Sequence, residues 1–474
     1  MLTLADVFEA LTGIRPENTE ISIRDAVIDS RLAVPGSLFV ALPGDNVDGH
    51  DYVRDAFERG ASYALIHKDL SAQFRQLDLV EGWQIDPVDL QGELPVCIRV
   101  ADSIAALQKI AHFWRRHLHP RVIGITGSVG KSTTKELVAS VLAQRYSTLK
   151  SPGNLNNEIG LPLTMLKLNE DHERAVLEMG FYVPGEIRFL CDLALPQVGV
   201  VTNIGTVHAE RAGSVEAIAQ GKAELVQSLP ASPEGIAILN YDDPLVREMG
   251  HQTQADVVYY GLSSDADLWA DEVEGLGLEG IRFRIHYQDE EVHLRVPLIG
   301  RHSVHTALRA AAVGLTDGLT WQEIVEGLRS NQPQLRLVAV RATSGALLLD
   351  DTYNASPEST LAALNLLDEL EGRKVAVLGD MLELGPYEWK GHEMVGVRAA
   401  EVVDQLVTLG ERGRMIAAAA ARAGLSNQAI TELPDNQEAI TFLQDHLGPQ
   451  DVVLVKGSRG MQMDAIVAAL EAKE

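Results

Sequence analysis

A glycine-rich turn stands between a short apolar strand and an amphipathic helix in Gly124-Ile-Thr-Gly-Ser-Val-Gly-Lys-Ser-Thr-Thr-Lys135. Strand, turn and helix in that order place the segment at the carboxyl end of a strand in an α/β sheet, the setting in which such a turn cradles phosphate. Glycines let backbone N–H groups converge on phosphate oxygens, and the helix N-terminus adds the positive end of its dipole. Lys131 is placed to neutralise the β- and γ-phosphates, and the Ser132 hydroxyl to reach Mg²⁺. The chain therefore reads as a user of a nucleoside triphosphate. The strict G-x-x-x-x-G-K-[ST] spacing is not met, because Ile125 stands six before Lys131 and the nearest glycine is Gly124, so the fit is to T-G-S-x-G-K-S-T. The competing reading, an incidental glycine turn, is disfavoured by the strand before it and the helix after it.

At 474 residues the chain exceeds one ordinary core and is expected to form about three domains. No apolar run approaches the roughly 18 to 20 residues that cross a bilayer, and the N-terminus has no basic segment followed by an apolar one, so neither a membrane span nor export is expected. With Cys97 and Cys191 alone there is no disulfide framework and no cysteine metal cluster, which fits a reducing cytoplasm. A net charge of −27 argues against general nucleic-acid binding. An anionic substrate must then be held by local Lys, Arg, backbone amides and Mg²⁺ against the global field.

Residues 1–104 read as a small α/β unit with a strand at 37–42 and a turn at Asp48-Gly-His50. A helix over 103–117, with Ile104, Leu107, Ile110, Ala111 and Trp114 at helical spacing, leads into a central domain over 105–330. There, strands at 122–126, 175–179, 198–203 and 236–240 alternate with helices, the signature of a mostly parallel sheet. The stretch 268–296 alternates apolar and polar residues and predicts an antiparallel excursion at the sheet edge. A linker at 331–334 opens a third domain, 331–474, with strands at 346–349, 374–378, 405–409 and 451–455. Their polar or glycine-bearing C-terminal loops are candidate site walls.

Glu178 ends an apolar strand, where a carboxylate costs several kcal/mol to bury unless it is paired or binds a cation. A structural salt bridge and a metal-ligating role both satisfy that requirement. His208 follows the next strand and is either a structural histidine or a site residue at the same sheet edge. Ser151-Pro-Gly-Asn-Leu-Asn-Asn157 is either an ordinary Asn/Gly turn or a loop whose amides hold sugar or phosphate. Lys222, in Ala219-Gln-Gly-Lys-Ala-Glu224, reads from local sequence as a solvated helix lysine.

Taken in order, these segments resemble the Mur ligases of bacterial cell-wall synthesis. The resemblance runs from Asp29 to Arg459 and rests on Asp29-Ser-Arg31, Asp48-Gly-His50, the Thr126–Ser132 turn, Ser151–Asn157, Glu178-Met-Gly180 and Pro184-Gly-Glu-Ile187. It also rests on Asn240-Tyr-Asp-Asp-Pro244, Asp350-Asp-Thr-Tyr-Asn354, Gly379-Asp-Met-Leu-Glu-Leu-Gly385 and Lys456-Gly-Ser-Arg459. The fold implied is a three-domain α/β Mur ligase: an N-terminal UDP-sugar-binding domain, a central ATPase domain of P-loop type, and a C-terminal Rossmann-like ligase domain. The activity implied is ATP-dependent amide formation joining D-alanyl-D-alanine to UDP-N-acetylmuramoyl-tripeptide through an acyl phosphate, by a cytoplasmic enzyme expected to be a monomer.

The resemblance implies roles residue by residue. Thr126, Gly127, Ser128, Val129, Gly130, Lys131, Ser132 and Thr133 would hold the ATP phosphates, with His302, Arg336, Asp351 and Asn354 closing on the nucleotide. Ser132 and Glu178 would ligate one Mg²⁺ and His208 a second. Lys222 matches the family lysine that CO₂ converts to a carbamate, and a carbamate is a hard oxygen ligand suited to Mg²⁺. Lys131, Lys222, His208 and Glu178 would thus form the catalytic set. Ser30, Arg31, Asp48 and His50 would meet the uridine-diphosphate end of the substrate, Asn154 and Asn157 its sugar and phosphate, and Lys456, Ser458 and Arg459 the peptide or dipeptide.

Two departures stand out. The family segment G-x-H-N-x-x-N is Gly300-Arg-His-Ser-Val-His-Thr306 here, so two amides that could hydrogen-bond a purine are replaced by the shorter hydroxyls of Ser303 and Thr306. Arg336 is followed by Leu337 and Val338, without the usual glutamate. Three other readings compete. The preceding Mur ligase carries an Asp-Asn-Pro motif that is absent here, a folate polyglutamate ligase leaves the N-terminal unit unexplained, and an inactive nucleotide-binding regulator has no need of an intact Lys131, Ser132, Glu178, His208 and Lys222.

Overall fold

The computed structural model describes residues 1–17, 19, 21–44, 47–80, 94–206, 209–330 and 338–472. The chain divides into two compact units, one comprising 1–124, 146–180 and 186–198, the other 125–145, 181–185 and 199–474. The expected linker at 331–334, His208 and Arg336 lie outside the described residues.

In the first unit a parallel sheet joins β1 (Ala26–Val27), β2 (Leu38–Val40), β3 (Tyr63–Ile66), β4 (Gln76–Asp78) and β5 (Val96–Arg99) in the order β1-β2-β3-β5-β4. Every residue of β2 and β3 is buried, because a parallel strand covered on both faces needs an apolar run and not an alternation. The helix Ser103–His117 has the bounds its periodicity predicts and is capped by the Asp102 side chain. Its Trp114 donates from Nε1 to the Leu168 carbonyl at 2.9 Å, and buried Arg115 donates to the Ala194 carbonyl at 2.8 Å.

A nine-stranded sheet contains β6 (Arg121–Thr126), β7 (Thr148–Lys150), β8 (Arg174–Glu178), β9 (Val198–Val201), β10 (Ile236–Asn240), β11 (Asp256–Gly261), β12 (Leu268–Gly275), β13 (Ile281–Tyr287) and β14 (Glu290–Val296). Its order is β14-β13-β12-β11-β10-β9-β6-β8-β7. The excursion over 268–296 is the β12-β13-β14 meander, paired antiparallel, with Ile281, Phe283 and Ile285 buried on one face. The strand expected over 198–203 stops at Val201, because the backbone from Thr202 onward bonds to the phosphate turn instead of continuing the strand.

The last sheet joins β15 (Val338–Arg341), β16 (Leu347–Asp350), β17 (Arg373–Leu378), β18 (Gln405–Leu409), β19 (Ile430–Leu433) and β20 (Asp451–Lys456) in the order β15-β16-β20-β17-β18-β19, parallel except for β15. Alternate residues enter opposite cores. Ala376 and Leu378 pack with the helices Pro357–Glu369, Glu388–Val402 and Gly410–Arg422, while Val375 and Val377 pack with Asn436–His446 and Asp464–Leu470. The edge strands β15 and β19 are four residues each and contain no buried residue, so neither offers the long buried run that marks the inner strands.

Insertion of β20 between β16 and β17 creates a topological switch point, and the loops beyond these strands are stitched together there. Asp380, 6% exposed, accepts from the N–H groups of Arg412 (2.9 Å) and Gly413 (2.8 Å), and so caps a helix that has no cap of its own. Buried His392 braces the same loop, its Nε2 accepting from the Met381 N–H at 3.1 Å while Nδ1 donates to the Glu388 carbonyl at 2.7 Å. Burial lowers its pKa and keeps this neutral tautomer. Asp380→Ala is expected to destabilise the protein by about 1–2 kcal/mol. Chemical denaturation checks this, and an unchanged unfolding midpoint would refute the capping role.

Candidate functional site

The phosphate turn leaves β6 at Thr126 and enters the helix Lys131–Leu142. Gly127 and Gly130 have φ of +142° and +85°, a region open to glycine. Space also dictates Gly127, where a Cβ would lie 1.8 Å from Thr202 Oγ1. Gly130 supplies no side chain to cap the helix, which leaves the first-turn N–H groups to a ligand. The turn is braced from the segment after β9. Ser128 N–H donates to the Asn203 carbonyl, Val129 N–H to Asn203 Oδ1 and Thr202 Oγ1 to the Val129 carbonyl, at 2.9, 2.9 and 2.7 Å. Asp243 holds that segment in turn, accepting from Ile204 N–H at 2.8 Å.

Lys131 folds back over the turn, its Nζ donating to the carbonyls of Gly127 (2.7 Å) and Ser128 (3.1 Å). Lys222 is not the solvated lysine that its local sequence suggests. It is 1% exposed, donates to the same Gly127 carbonyl at 3.1 Å, and lies 4.7 Å from the Phe181 ring centroid. Gly221 beside it admits that ring, which would meet a Cβ at 2.0 Å. Burial first, and the Lys131 charge second, hold the Lys222 pKa well below the ordinary lysine value. The neutral amine so favoured is the form that adds to CO₂.

Glu178 belongs to the first unit, and Lys131, Ser132 and Lys222 to the second. Glu178 is 1% exposed. Its Oε1 accepts from Asn156 Nδ2 at 2.8 Å, and its N–H donates to Ser151 Oγ at 3.2 Å. Asn156, whose side chain was given no role by sequence reasoning, therefore orients the carboxylate. A buried carboxylate is a hard oxygen donor of the kind Mg²⁺ takes, so Glu178 fits such an ion.

Within the second unit a pocket of about 690 Å³ opens beside the turn. It collects Ser128, Val129, Gly130, Ser132 and Thr133, together with His302, Asp351 and Asn354 of the expected nucleotide set. Thr126 is buried at the strand end below, with its carbonyl accepting from Thr202 N–H at 3.0 Å. The His302 side chain is exposed, and the protein atoms crowded round its imidazole, with the nearby His305 and Arg309, hold its pKa below the ordinary histidine value. Ser303 Oγ donates to the Ile299 carbonyl at 2.7 Å, and Thr306 Oγ1 accepts from Arg309 Nη2 at 2.7 Å. The hydroxyls replacing the family asparagines are thus engaged within the protein.

Lys456 also lines this pocket. It is 2% exposed and pairs through Nζ with Asp351 Oδ2 at 2.6 Å and with the Asn354 carbonyl at 2.9 Å. Two residues assigned to different ligands are therefore one ion pair. Ser458 is likewise internal, accepting from Leu382 N–H at 2.8 Å, whereas Arg459 is exposed. Glu358, another residue that sequence reasoning missed, lines the pocket and accepts from Thr206 N–H at 3.1 Å.

At the N-terminal sheet Asp29 caps the short helix Ser30–Leu32 and holds the exposed Arg31 guanidinium, with Nη2 to Oδ2 at 2.6 Å. Ser30 Oγ donates to Asp55 Oδ2 at 2.5 Å. His50 is buried and fully engaged, with Nδ1 on Asp48 Oδ1 at 2.6 Å and Nε2 accepting from His67 N–H at 3.1 Å, while Asp48 also pairs with Lys68. Arg31 is therefore the group presented outward here, and His50 fixes the loop. Asn154 is exposed, and Asn157 Oδ1 accepts from Gly160 N–H at 2.8 Å to start the helix Gly160–Met165.

Three family models match: Mur ligase family, catalytic domain, over 23–113; Mur ligase middle domain, over 125–314; and Mur ligase, glutamate ligase domain, over 335–459. The UDP-N-acetylmuramoyl-tripeptide--D-alanyl-D-alanine ligase of Synechocystis is 36% identical across 98% of this chain and 95% of its own. The crystal structure of MurF from Acinetobacter baumannii superposes with a TM-score of 0.81 at 30% identity, covering 98% of this chain and 97% of that one. MurF ligase from Thermotoga maritima in complex with ADP gives 0.77 at 27% identity over 94% and 97%. Matched by these family models over most of its length and by these relatives over nearly all of it, the chain belongs to the Mur ligase family.

Proposed function

We propose that this chain joins D-alanyl-D-alanine to UDP-N-acetylmuramoyl-tripeptide with hydrolysis of ATP to ADP and phosphate, a cytoplasmic step of peptidoglycan synthesis. Relatives bearing that name and matched over nearly the full chain support the substrates. The observation that carries the chemistry is the braced turn with Lys131 folded over it, opening onto the pocket.

The tripeptide's terminal carboxylate attacks the γ-phosphorus and ADP departs, leaving an acyl phosphate. The dipeptide amine then adds to the acyl carbon, loses a proton, and expels phosphate from the tetrahedral intermediate. Lys131 and the turn amides would hold the phosphoryl oxygens in line and neutralise their charge. Mg²⁺, held by Ser132, Glu178, His208 and the Lys222 carbamate, would supply further charge neutralisation. Asp351, Asn354 and Arg336 would close on the nucleotide, and excluding water would protect the anhydride. Arg31, with Asp48 and His50 shaping its neighbourhood, would meet the diphosphate of the substrate, and Asn154 and Asn157 its sugar. Arg459 would face the peptide.

Purified protein given ATP, Mg²⁺ and UDP-N-acetylmuramoyl-tripeptide is expected to release phosphate only when D-alanyl-D-alanine is added. Release with single amino acids and the shorter UDP-dipeptide precursor would identify the preceding ligase step instead.

The carbamate has its own support: two ammonium groups on one carbonyl oxygen repel, and converting Lys222 to an anion removes that repulsion. The neutral amine attacks CO₂, and loss of a proton leaves the N-carboxylate. In CO₂-depleted buffer the activity is expected to fall several-fold and to return with bicarbonate, and Lys222→Ala is expected to be inactive and insensitive to bicarbonate. Full activity of rigorously CO₂-free enzyme would exclude the carbamate.

A further inference from the structure

The helix Val304–Thr316 is rich in Ala and other apolar residues, and Arg309 is set into its buried face. Arg309 is 4% exposed, and its guanidinium has no carboxylate within ion-pair distance among the described residues. Nη2 donates to Thr306 Oγ1 at 2.7 Å and Nη1 to the Tyr260 hydroxyl at 3.4 Å, both neutral oxygens. Nε is buried with no acceptor at all. Asp242 and Asp243, which line the same pocket, are committed elsewhere. Asp242 accepts from His305 and from Leu262 N–H, both at 2.8 Å, and Asp243 holds Ile204 N–H and caps the helix Pro244–Arg247.

A buried cation without a counter-charge costs several kcal/mol, and a fold does not keep one in an alanine-rich helix for packing alone. Its position supplies the reason. The guanidinium lines the pocket, and Nη2 lies 3.3 Å from where a Cβ on Gly130 would stand, at the N-terminus of the phosphate-turn helix. The anion for which the turn is built would enter beside a guanidinium that no carboxylate neutralises among the described residues. Guanidinium suits phosphate oxygens better than a lone ammonium does, because it presents planar, paired N–H donors.

We propose that Arg309 is a further phosphate ligand of the nucleotide, completing with Lys131 and the turn amides a two-cation clamp. The assignment rests on the nucleotide-binding reading of the pocket, but not on the identity of the acceptor dipeptide.

The test is calorimetric titration of the full-length protein with ADP and, separately, with adenosine, for wild type, Arg309→Ala and Arg309→Lys. Loss of a charge-assisted hydrogen bond of about 1.5–3 kcal/mol corresponds to a roughly ten- to a hundredfold weaker ADP affinity in Arg309→Ala. Adenosine binding is expected to be unchanged, and Arg309→Lys to recover part of the ADP affinity. Unchanged ADP affinity with a lowered melting temperature would make Arg309 a packing residue. Equal losses for ADP and adenosine would move its contact to the base. Either result overturns the assignment while leaving the ligase reading intact, whereas a wild-type protein that binds neither ligand would remove the nucleotide reading itself.

Discussion

Two lysines converge on one oxygen. The Gly127 carbonyl accepts from Lys131 at 2.7 Å and from Lys222 at 3.1 Å, and much of the surrounding structure serves that convergence. The turn can present its carbonyl this way because Gly127 adopts a positive φ against Thr202, where any side chain would collide. Lys222 can reach it because Gly221 lets Phe181 close over the helix. Lys131 brings its charge to this point of a chain whose net charge is −27, and burial beside that charge disfavours a second ammonium on Lys222.

The C-terminal sheet organises a second set of charges by topology. Because β20 is threaded between β16 and β17, the three following loops, which begin after Asp350, Leu378 and Lys456, become neighbours. Lys456 then pairs with Asp351, and Ser458 and Asp380 lock the adjoining loops. The Asp351–Lys456 pair is buried, so a change that removes one partner strands the other's charge in the pocket wall. Glu358 ties the start of the helix Pro357–Glu369 to Thr206, beyond the phosphate turn's own bracing segment. The walls of the pocket and the connectivity of the sheet are therefore one design.

What sequence could reveal followed the range of the interactions. The phosphate turn, the helix Ser103–His117 and the inner strands are local patterns of spacing and hydrophobicity, and they stand where those patterns place them. The edge strands β15 and β19 are four residues each with none buried, too short for that pattern to set them apart. Lys222 looked like a surface lysine, since neither Phe181 nor Gly127 is near it in sequence. Arg309 was invisible for the same reason, its character being set by Tyr260 and Gly130. His50 illustrates the opposite case: the motif was legible, but both ring nitrogens prove to be spent on holding the loop. Asn156 was quoted within a loop, and its contact with Glu178 appears only in three dimensions.

The central claim is that the turn and its lysines drive phosphoryl transfer to a carboxylate before the amide forms. Its most direct measurement uses tripeptide substrate labelled with ¹⁸O in the terminal carboxylate, followed by mass analysis of the phosphate released on complete reaction with D-alanyl-D-alanine. The account predicts one labelled oxygen in each phosphate, because the carboxylate oxygen that attacks phosphorus leaves with it. Phosphate free of label, with one labelled oxygen kept in the new amide and the other released as water, would mean that the carboxylate is never phosphorylated.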